Sequence, residues 1–292
     1  MYDFEKLTQA TSVEHAIALL MEDENARVIC GGSDVLIRIR EGKLAGCSLV
    51  SIHGIKALEG VSMEKGGTIA IGPATTFAGV TESAIVQQWI PALGYATDQA
   101  GGPQLRNSGT IGGNIVNGVT SADSAPALLT LNAELVIQGP DGTRTTALKD
   151  FYAGPGRVHL GRGELLTRIR IARRDYEGFS GHYIKYAMRE AMDIATLGCA
   201  VQVKLEGGVI EDIRLAYGVA APIPIRCPMA EAAVIGRAPD EETGRLLGER
   251  ALHEVTPRTS WRASREFRLQ LVRELAARAL KQAIINKGGD GA

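Results

Sequence analysis

The chain has 292 residues, a formal net charge of −1 at pH 7, 45% hydrophobic and 22% charged residues. That length predicts about two domains, and the composition excludes whole-chain disorder, collagen and coiled coil. A near-neutral charge and 5% aromatic residues argue against a dedicated nucleic-acid binder, which needs basic patches and stacking platforms.

In chain order, Thr11-Ser12-Val13-Glu14 has the form of a capping box, and Ala16, Ile17, Leu19 and Leu20 continue it as a helix. Arg27-Val28-Ile29-Cys30 predicts a strand stopped by Gly31-Gly32, with a short helix opening at Val35-Leu36-Ile37-Arg38. Ser48 to Ile52 and Thr68 to Gly72 predict two more strands, and Ile85 to Ala100 predicts a helix. Glu134 to Gln138 and Thr143 to Thr146, around Pro140-Asp141-Gly142, predict a hairpin. Leu165 to Ile171 alternates, so one face of that strand should be buried. The polar run Arg173 to Gly178 is the expected domain boundary. Leu197 to Leu205 and Ile213 to Val219, separated by Glu206-Gly207-Gly208, predict antiparallel strands. Thr256 to Lys287 carries eight cations against two carboxylates. With Phe267, Leu271, Leu275 and Ala279 every four residues it predicts a packed helix with a solvated basic face, a contact with a partner subunit being the other reading.

The four cysteines, Cys30, Cys47, Cys199 and Cys227, form no C-x-x-C pair. They predict small buried thiols rather than a zinc or iron–sulfur site. There is no G-x-S-x-G, no H-E-x-x-H and no histidine cluster, so hydrolytic sites are unsupported. No apolar run is long enough to span a bilayer. The start, Met1 to Lys6, lacks the regions of a signal peptide, so a cytoplasmic location is expected.

Glycine is the outlier, at 35 residues. Cys30-Gly31-Gly32-Ser33-Asp34 lies between a predicted strand and a helix, where backbone amides suit a phosphate. Taken alone it also fits an ordinary β–α turn. Gly109-Thr110-Ile111-Gly112-Gly113-Asn114, continued to Gly118, predicts an extended backbone surface rich in amide donors. Together the two segments could grip a pyrophosphate from both sides. Asp123 has two readings: N-cap of a helix around 125–131, or a carboxylate accepting hydrogen bonds from a ribose or ribityl hydroxyl.

These residues resemble the two FAD-binding signatures of the flavoprotein subunits of molybdenum hydroxylases, the group of xanthine dehydrogenase and carbon monoxide dehydrogenase. Lys185 to Ile194 is similar to that family's flavin-facing segment, and Ala220 to Arg226 and Ser260 to Arg268 are similar to the bacterial xanthine dehydrogenase flavoproteins. The resemblance covers essentially the whole chain. It implies an α+β fold: an FAD-binding domain of the vanillyl-alcohol-oxidase (PCMH) type over 1–176, in two parts of about 1–60 and 61–176. A small C-terminal domain of the CO dehydrogenase flavoprotein type would follow over 177–292.

The resemblance further implies that Arg27, Val28, Ile29, Cys30, Gly31, Gly32, Ser33 and Asp34 form one wall of the pyrophosphate cradle. Gly109, Thr110, Ile111, Gly112, Gly113 and Asn114 would form the other. Asp123 would contact FAD, Leu166 would lie near the adenine and Lys185 near the flavin, with Asp193 and Ile194 flanking the ring. Cys30 stands where the family usually has Ala, and Ser33 where Thr is common. FAD would be held non-covalently, and a side chain at Gly112 or Gly113 would collide with it, or leave a positive-φ conformation, without unfolding the chain. The role implied is electron transfer from iron–sulfur clusters through FAD, with NAD⁺ as the expected acceptor. The hydroxylase would act on xanthine or on another substrate such as carbon monoxide, nicotinate or an aldehyde. A non-redox nucleotide-binding assembly subunit is the other reading. The [2Fe–2S] clusters and molybdopterin would reside on a small and a large partner subunit, in a dimer of heterotrimers.

Overall fold

The computed structural model describes residues 2–288, so the outermost ends of the two predicted ranges lie outside the described residues. The first layer is β1 (Phe4–Gln9), α1 (Val13–Glu22), β2 (Ala26–Ile29), α2 (Val35–Arg40) and β3 (Cys47–Ser51). Its three strands are parallel in the order β1-β3-β2. The N-cap of α1 is Ser12, whose hydroxyl accepts from the His15 amide at 3.1 Å, one residue later than the capping box predicts. Thr11 instead faces the His15 ring, 3.0 Å from Nδ1.

The second part holds β4 (Val61–Met63), β5 (Ile69–Ile71), α3 (Phe77–Thr81), α4 (Ala84–Trp89), α5 (Pro91–Asp98), α6 (Pro103–Ser108), α7 (Ile111–Val116) and α8 (Ser124–Thr130). The helix predicted over 85–100 is thus two helices, because Pro91 cannot donate and opens α5 at its first turn. Then come β6 (Glu134–Gly139), β7 (Gly142–Ala147), β8 (Tyr152–Gly154), β9 (Arg157–Val158) and β10 (Leu165–Ile171). Five strands form an antiparallel sheet in the order β4-β5-β10-β6-β7. Ile69, Ile71, Ile169 and Ile171 are fully buried. Each such side chain contributes about 1.5–3 kcal/mol relative to exposure.

The run Arg173 to Gly178 forms a single 3₁₀ turn, Arg173–Asp175, and a glycine at φ +79°. Beyond it β11 (Phe179–Tyr186), β12 (Leu197–Glu206), β13 (Val209–Gly218) and β14 (Ile225–Arg226) form a four-stranded antiparallel sheet. Gly207 and Gly208 turn β12 into β13 at φ +58° and +82°, as a tight hairpin requires. The helices α9 (Pro228–Ala232), α10 (Glu241–Ala251) and α11 (Arg265–Gly288) complete this part. Leu271, Leu275 and Ala279 are buried in its core as predicted, whereas Phe267 in the first turn stays exposed, edge-on to Tyr186. The basic face of α11 is not all solvated, however. Arg268 is buried and donates to the carbonyls of Thr196 (3.2 Å) and Arg258 and to Ser260 Oγ (2.8 Å).

The last sheet is stitched to the second part by backbone-directed polar contacts. The Val219 amide donates to Thr120 O at 3.0 Å, and Thr120 Oγ1 donates to Ala221 O at 2.9 Å. Arg214 donates to the carbonyls of Thr130 (3.2 Å) and Asp175 (3.0 Å) and pairs with the Asp175 carboxylate at 3.2 Å. These bonds hold β13 and the residues that follow it against α8 and the loop that leads into it, where Asp123 lies.

Candidate functional site

The two glycine segments meet. A Cβ on Gly31 would lie 1.9 Å from Ser108 O and 3.1 Å from Gly109 Cα. Only glycine allows this approach. Gly32 follows at φ +73°, a left-handed conformation that turns the chain from β2 into α2. Among the described residues, the amides of Gly31, Gly32, Ser33 and Asp34 make no hydrogen bond to another group of the chain. Successive free amides ahead of a helix form a concave donor surface for an anion. Cys30 beside them is half-buried. Burial pushes its thiol pKa up, against the opposing pull of the Thr110 hydroxyl. Val28 and Ile29 are half-buried, whereas the Arg27 side chain turns back to the carbonyls of Glu24 (2.9 Å) and Ala26 (2.7 Å).

The second segment differs from its prediction. It is not an extended surface but the start of a helix, α7, capped by Thr110, whose hydroxyl accepts from the Gly113 amide at 3.2 Å. Local capping prevails over the low helix propensity of two glycines. The segment is fixed to residues 73–77. Ile111 N donates to Thr75 O at 3.0 Å, Gly112 N to Pro73 O at 2.9 Å, and Phe77 N to Gly109 O at 3.0 Å. Gly112 and Gly113 are not among the positive-φ glycines. A Cβ on Gly112 would sit 2.6 Å from Pro73 O, while one on exposed Gly113 would meet only Thr110 Oγ1, at 3.0 Å. The expected reason for glycine at 112 is thereby corrected: it is packing against the chain itself. Asn114 Oδ1 accepts from Ser124 Oγ at 2.6 Å, which joins α7 to α8.

Asp123 precedes α8 but makes no side-chain cap. It is 8% exposed. Its Oδ1 accepts from Tyr183 Oη at 2.8 Å and its Oδ2 from Lys185 Nζ at 2.9 Å. Burial pushes its carboxyl pKa up, and the Lys185 charge and the two hydrogen bonds oppose that shift. The Lys185 ammonium also donates to Gln99 O at 2.9 Å, and its side chain is 7% exposed. A cavity of about 320 Å³ is lined by residues 185–193 and Gln99. Asp193 spends its carboxylate on its own loop, accepting from the amides of Met188 (3.1 Å) and Ile194 (2.8 Å). Desolvation raises its pKa, but the Ile194 amide, the Arg189 charge and the other loop amides outweigh it and leave it lowered. Met192 in that loop stands at φ +56°. Ile194 is 49% exposed rather than packed in a core, and Leu166 is buried in the core beneath the middle sheet, opposite Ile137.

The structure thus brings Gly31 against Ser108 and Gly109, and Asp123 against Lys185. Tyr183, Gln99 and the anchor at residues 73–77 were missed by the sequence reading. Tyr183 had a signal: it lies two residues before Lys185 on a strand and so shares its face. The Gln99 carbonyl had none.

Residues 2–173 match the FAD binding domain in molybdopterin dehydrogenase, and residues 182–283 match the CO dehydrogenase flavoprotein C-terminal domain. The chain is 40% identical over 289 residues to the xanthine dehydrogenase FAD-binding subunit of Escherichia coli O157:H7, covering 99% of each chain. It is 32% identical to the nicotinate dehydrogenase FAD-subunit of Eubacterium barkeri, covering 83% of each. A solved carbon monoxide dehydrogenase structure from Hydrogenophaga pseudoflava contains a chain of the same fold, with a TM-score of 0.93 and 29% identity over 98% of this chain and 99% of that one. No described helix is long and apolar enough to cross a membrane. With both family domains in order and the glycine segments meeting as a donor-lined cradle, the chain belongs to the FAD-binding flavoprotein subunits of the molybdenum hydroxylase family.

Proposed function

We propose that this chain is the electron-transfer flavoprotein of a xanthine dehydrogenase-type hydroxylase, acting in the cytoplasm between the [2Fe–2S] clusters of a partner subunit and NAD⁺. Molybdopterin would reside on a second partner, in a dimer of heterotrimers. The observation that carries the reading is the contact of Gly31 with Ser108 and Gly109, which leaves four successive amides free at a closed cradle. These amides suit the pyrophosphate of FAD, with Thr110 and Gly113 on the facing wall. FAD, when bound, supplies exchange between one-electron donors and a hydride acceptor. The chain's own residues do the rest. The cradle would hold the cofactor by backbone, and Lys185 would hold a positive charge beside the cavity, able to offset the negative charge of a reduced ring bound there. The 40% identity to a xanthine dehydrogenase subunit supports the xanthine assignment, although substrate choice belongs to the molybdenum subunit.

The purified chain is expected to show flavin absorption bands and, on acid precipitation, to release free FAD. Colour kept in the pellet would refute non-covalent binding, and a colourless native protein would refute FAD binding altogether. Lys185→Met is expected to lower the flavin midpoint potential more than it weakens binding of oxidised FAD, because an ammonium acts differently on the two ring charges. Spectroelectrochemistry with parallel FAD quantification reads this, and an unchanged midpoint would remove Lys185 from the role.

A further inference from the structure

The cation at the cavity floor is not free to choose its position. Lys185 and Tyr183 alternate with Ile184 along β11, so both project from the same face of the strand. Ile184, on the other face, packs against the core of the last sheet. Asp123 arrives from a different part of the chain, ahead of α8, and receives one bond from each of them. A carboxylate has two oxygens and a soft terminal torsion. With only Lys185 as donor it could turn both oxygens onto the ammonium. The hydroxyl of Tyr183 claims Oδ1 and leaves Oδ2 alone for Lys185.

The space for this hydroxyl is made by a missing side chain. Gly198 is paired directly opposite Lys185 in the β11–β12 ladder. A Cβ there would lie 2.7 Å from Tyr183 Oη, 3.3 Å from Cε2 and 3.4 Å from Cζ. The tyrosine ring therefore fills the gap beside the lysine stem. Gly198 is not at a positive φ, so its role here is room rather than backbone freedom. Tyr183 has no solvent exposure. Burial, and then the Asp123 charge, push its pKa well up, so it remains a hydroxyl that donates.

We propose that Tyr183, admitted by the Gly198 gap, is a positioning residue that acts through Asp123 to fix the Lys185 ammonium at the floor of the cavity. It touches neither cofactor nor substrate. The inference rests on the reading of the cavity as the flavin site. By sharing the carboxylate's charge, the hydroxyl leaves the lysine less neutralised toward the cavity. Its effect must therefore appear as a difference between the affinities for oxidised and reduced FAD, and it must disappear when Lys185 is absent.

The experiment is a double-mutant cycle on the full FAD-loaded chain: wild type, Tyr183→Phe, Lys185→Met and the pair. Tyr183→Phe keeps the ring that packs in the core and removes only the oxygen. The ratio of affinities for reduced and oxidised FAD, obtained from the midpoint and the dissociation constant of oxidised FAD, is expected to fall several-fold, on the order of five- to tenfold, in Tyr183→Phe. It should fall at least as far in Lys185→Met and no further in the pair. Gly198→Ala, checked for fold by near-UV circular dichroism, should reproduce the tyrosine effect. Equal shifts from Tyr183→Phe with and without Lys185 would overturn the proposal, as would an unchanged ratio in Tyr183→Phe beside a shifted Lys185→Met. FAD lost from Tyr183→Phe but kept by Lys185→Met would place the hydroxyl in the cofactor's seat and also overturn it. An unchanged Lys185→Met, or a wild type without FAD, would instead sink the reading of the site on which the proposal stands.

Discussion

Gly31→Ala is expected to abolish FAD retention. The added carbon would start 1.9 Å from Ser108 O, well inside any tolerable contact, and the neighbour is backbone rather than a side chain that can swing away. One wall of the cradle must therefore retreat, which displaces the four free amides from the facing wall. Overpacking of this kind costs on the order of 3 kcal/mol, here directed at the point where the two walls touch. The check is flavin content per chain beside far-UV circular dichroism. A folded variant with full FAD occupancy would show that closure of this contact is not needed for the cofactor.

Gly112→Val acts on the fold first. Its Cβ would meet Pro73 Cβ at 2.4 Å and Pro73 O at 2.6 Å. The same carbonyl receives the Gly112 amide at 2.9 Å, so the helix cannot slide away without losing that bond. A β-branched residue adds strain in the first turns of a helix. A loss on the order of 3 kcal/mol corresponds to a melting temperature lower by roughly ten degrees in a domain of this size. Gly113→Ala is the control, since its Cβ meets only Thr110 Oγ1 at 3.0 Å. It should keep the melting temperature within a few degrees while weakening FAD binding. Equal melting temperatures for Gly112→Val and wild type would disprove the packing role.

Much of this was legible in the sequence, for identifiable reasons. Strands bounded by glycine, such as β2 and the β12–β13 hairpin, announce themselves because turn chemistry is local. The first cradle wall was legible on the same grounds. The second wall was misjudged, because a threonine cap and a proline anchor forty residues away decide that Thr110 to Val116 is helical. Asp123 offered two readings by spacing, and the structure rejects the cap, because its partners come from β11, about sixty residues later. Burial of Arg268 was invisible for the same reason: its acceptors, at Thr196, Arg258 and Ser260, are set by tertiary contact and not by helical period.

The pairing of Asp123 with Tyr183 and Lys185 has a consequence for chimeras. The carboxylate comes from one side of the polar turn at 173–178, and the hydroxyl and ammonium come from the other. A recombinant joined at that turn, where few bonds appear to a reader of the sequence to be at stake, would inherit half of a buried charge pair from each parent. An uncompensated ion in such a place is far more expensive than a poorly matched surface. The unit that can be exchanged between relatives is therefore not the domain that a family boundary suggests, but the domain together with the strand that completes its neighbour's electrostatics.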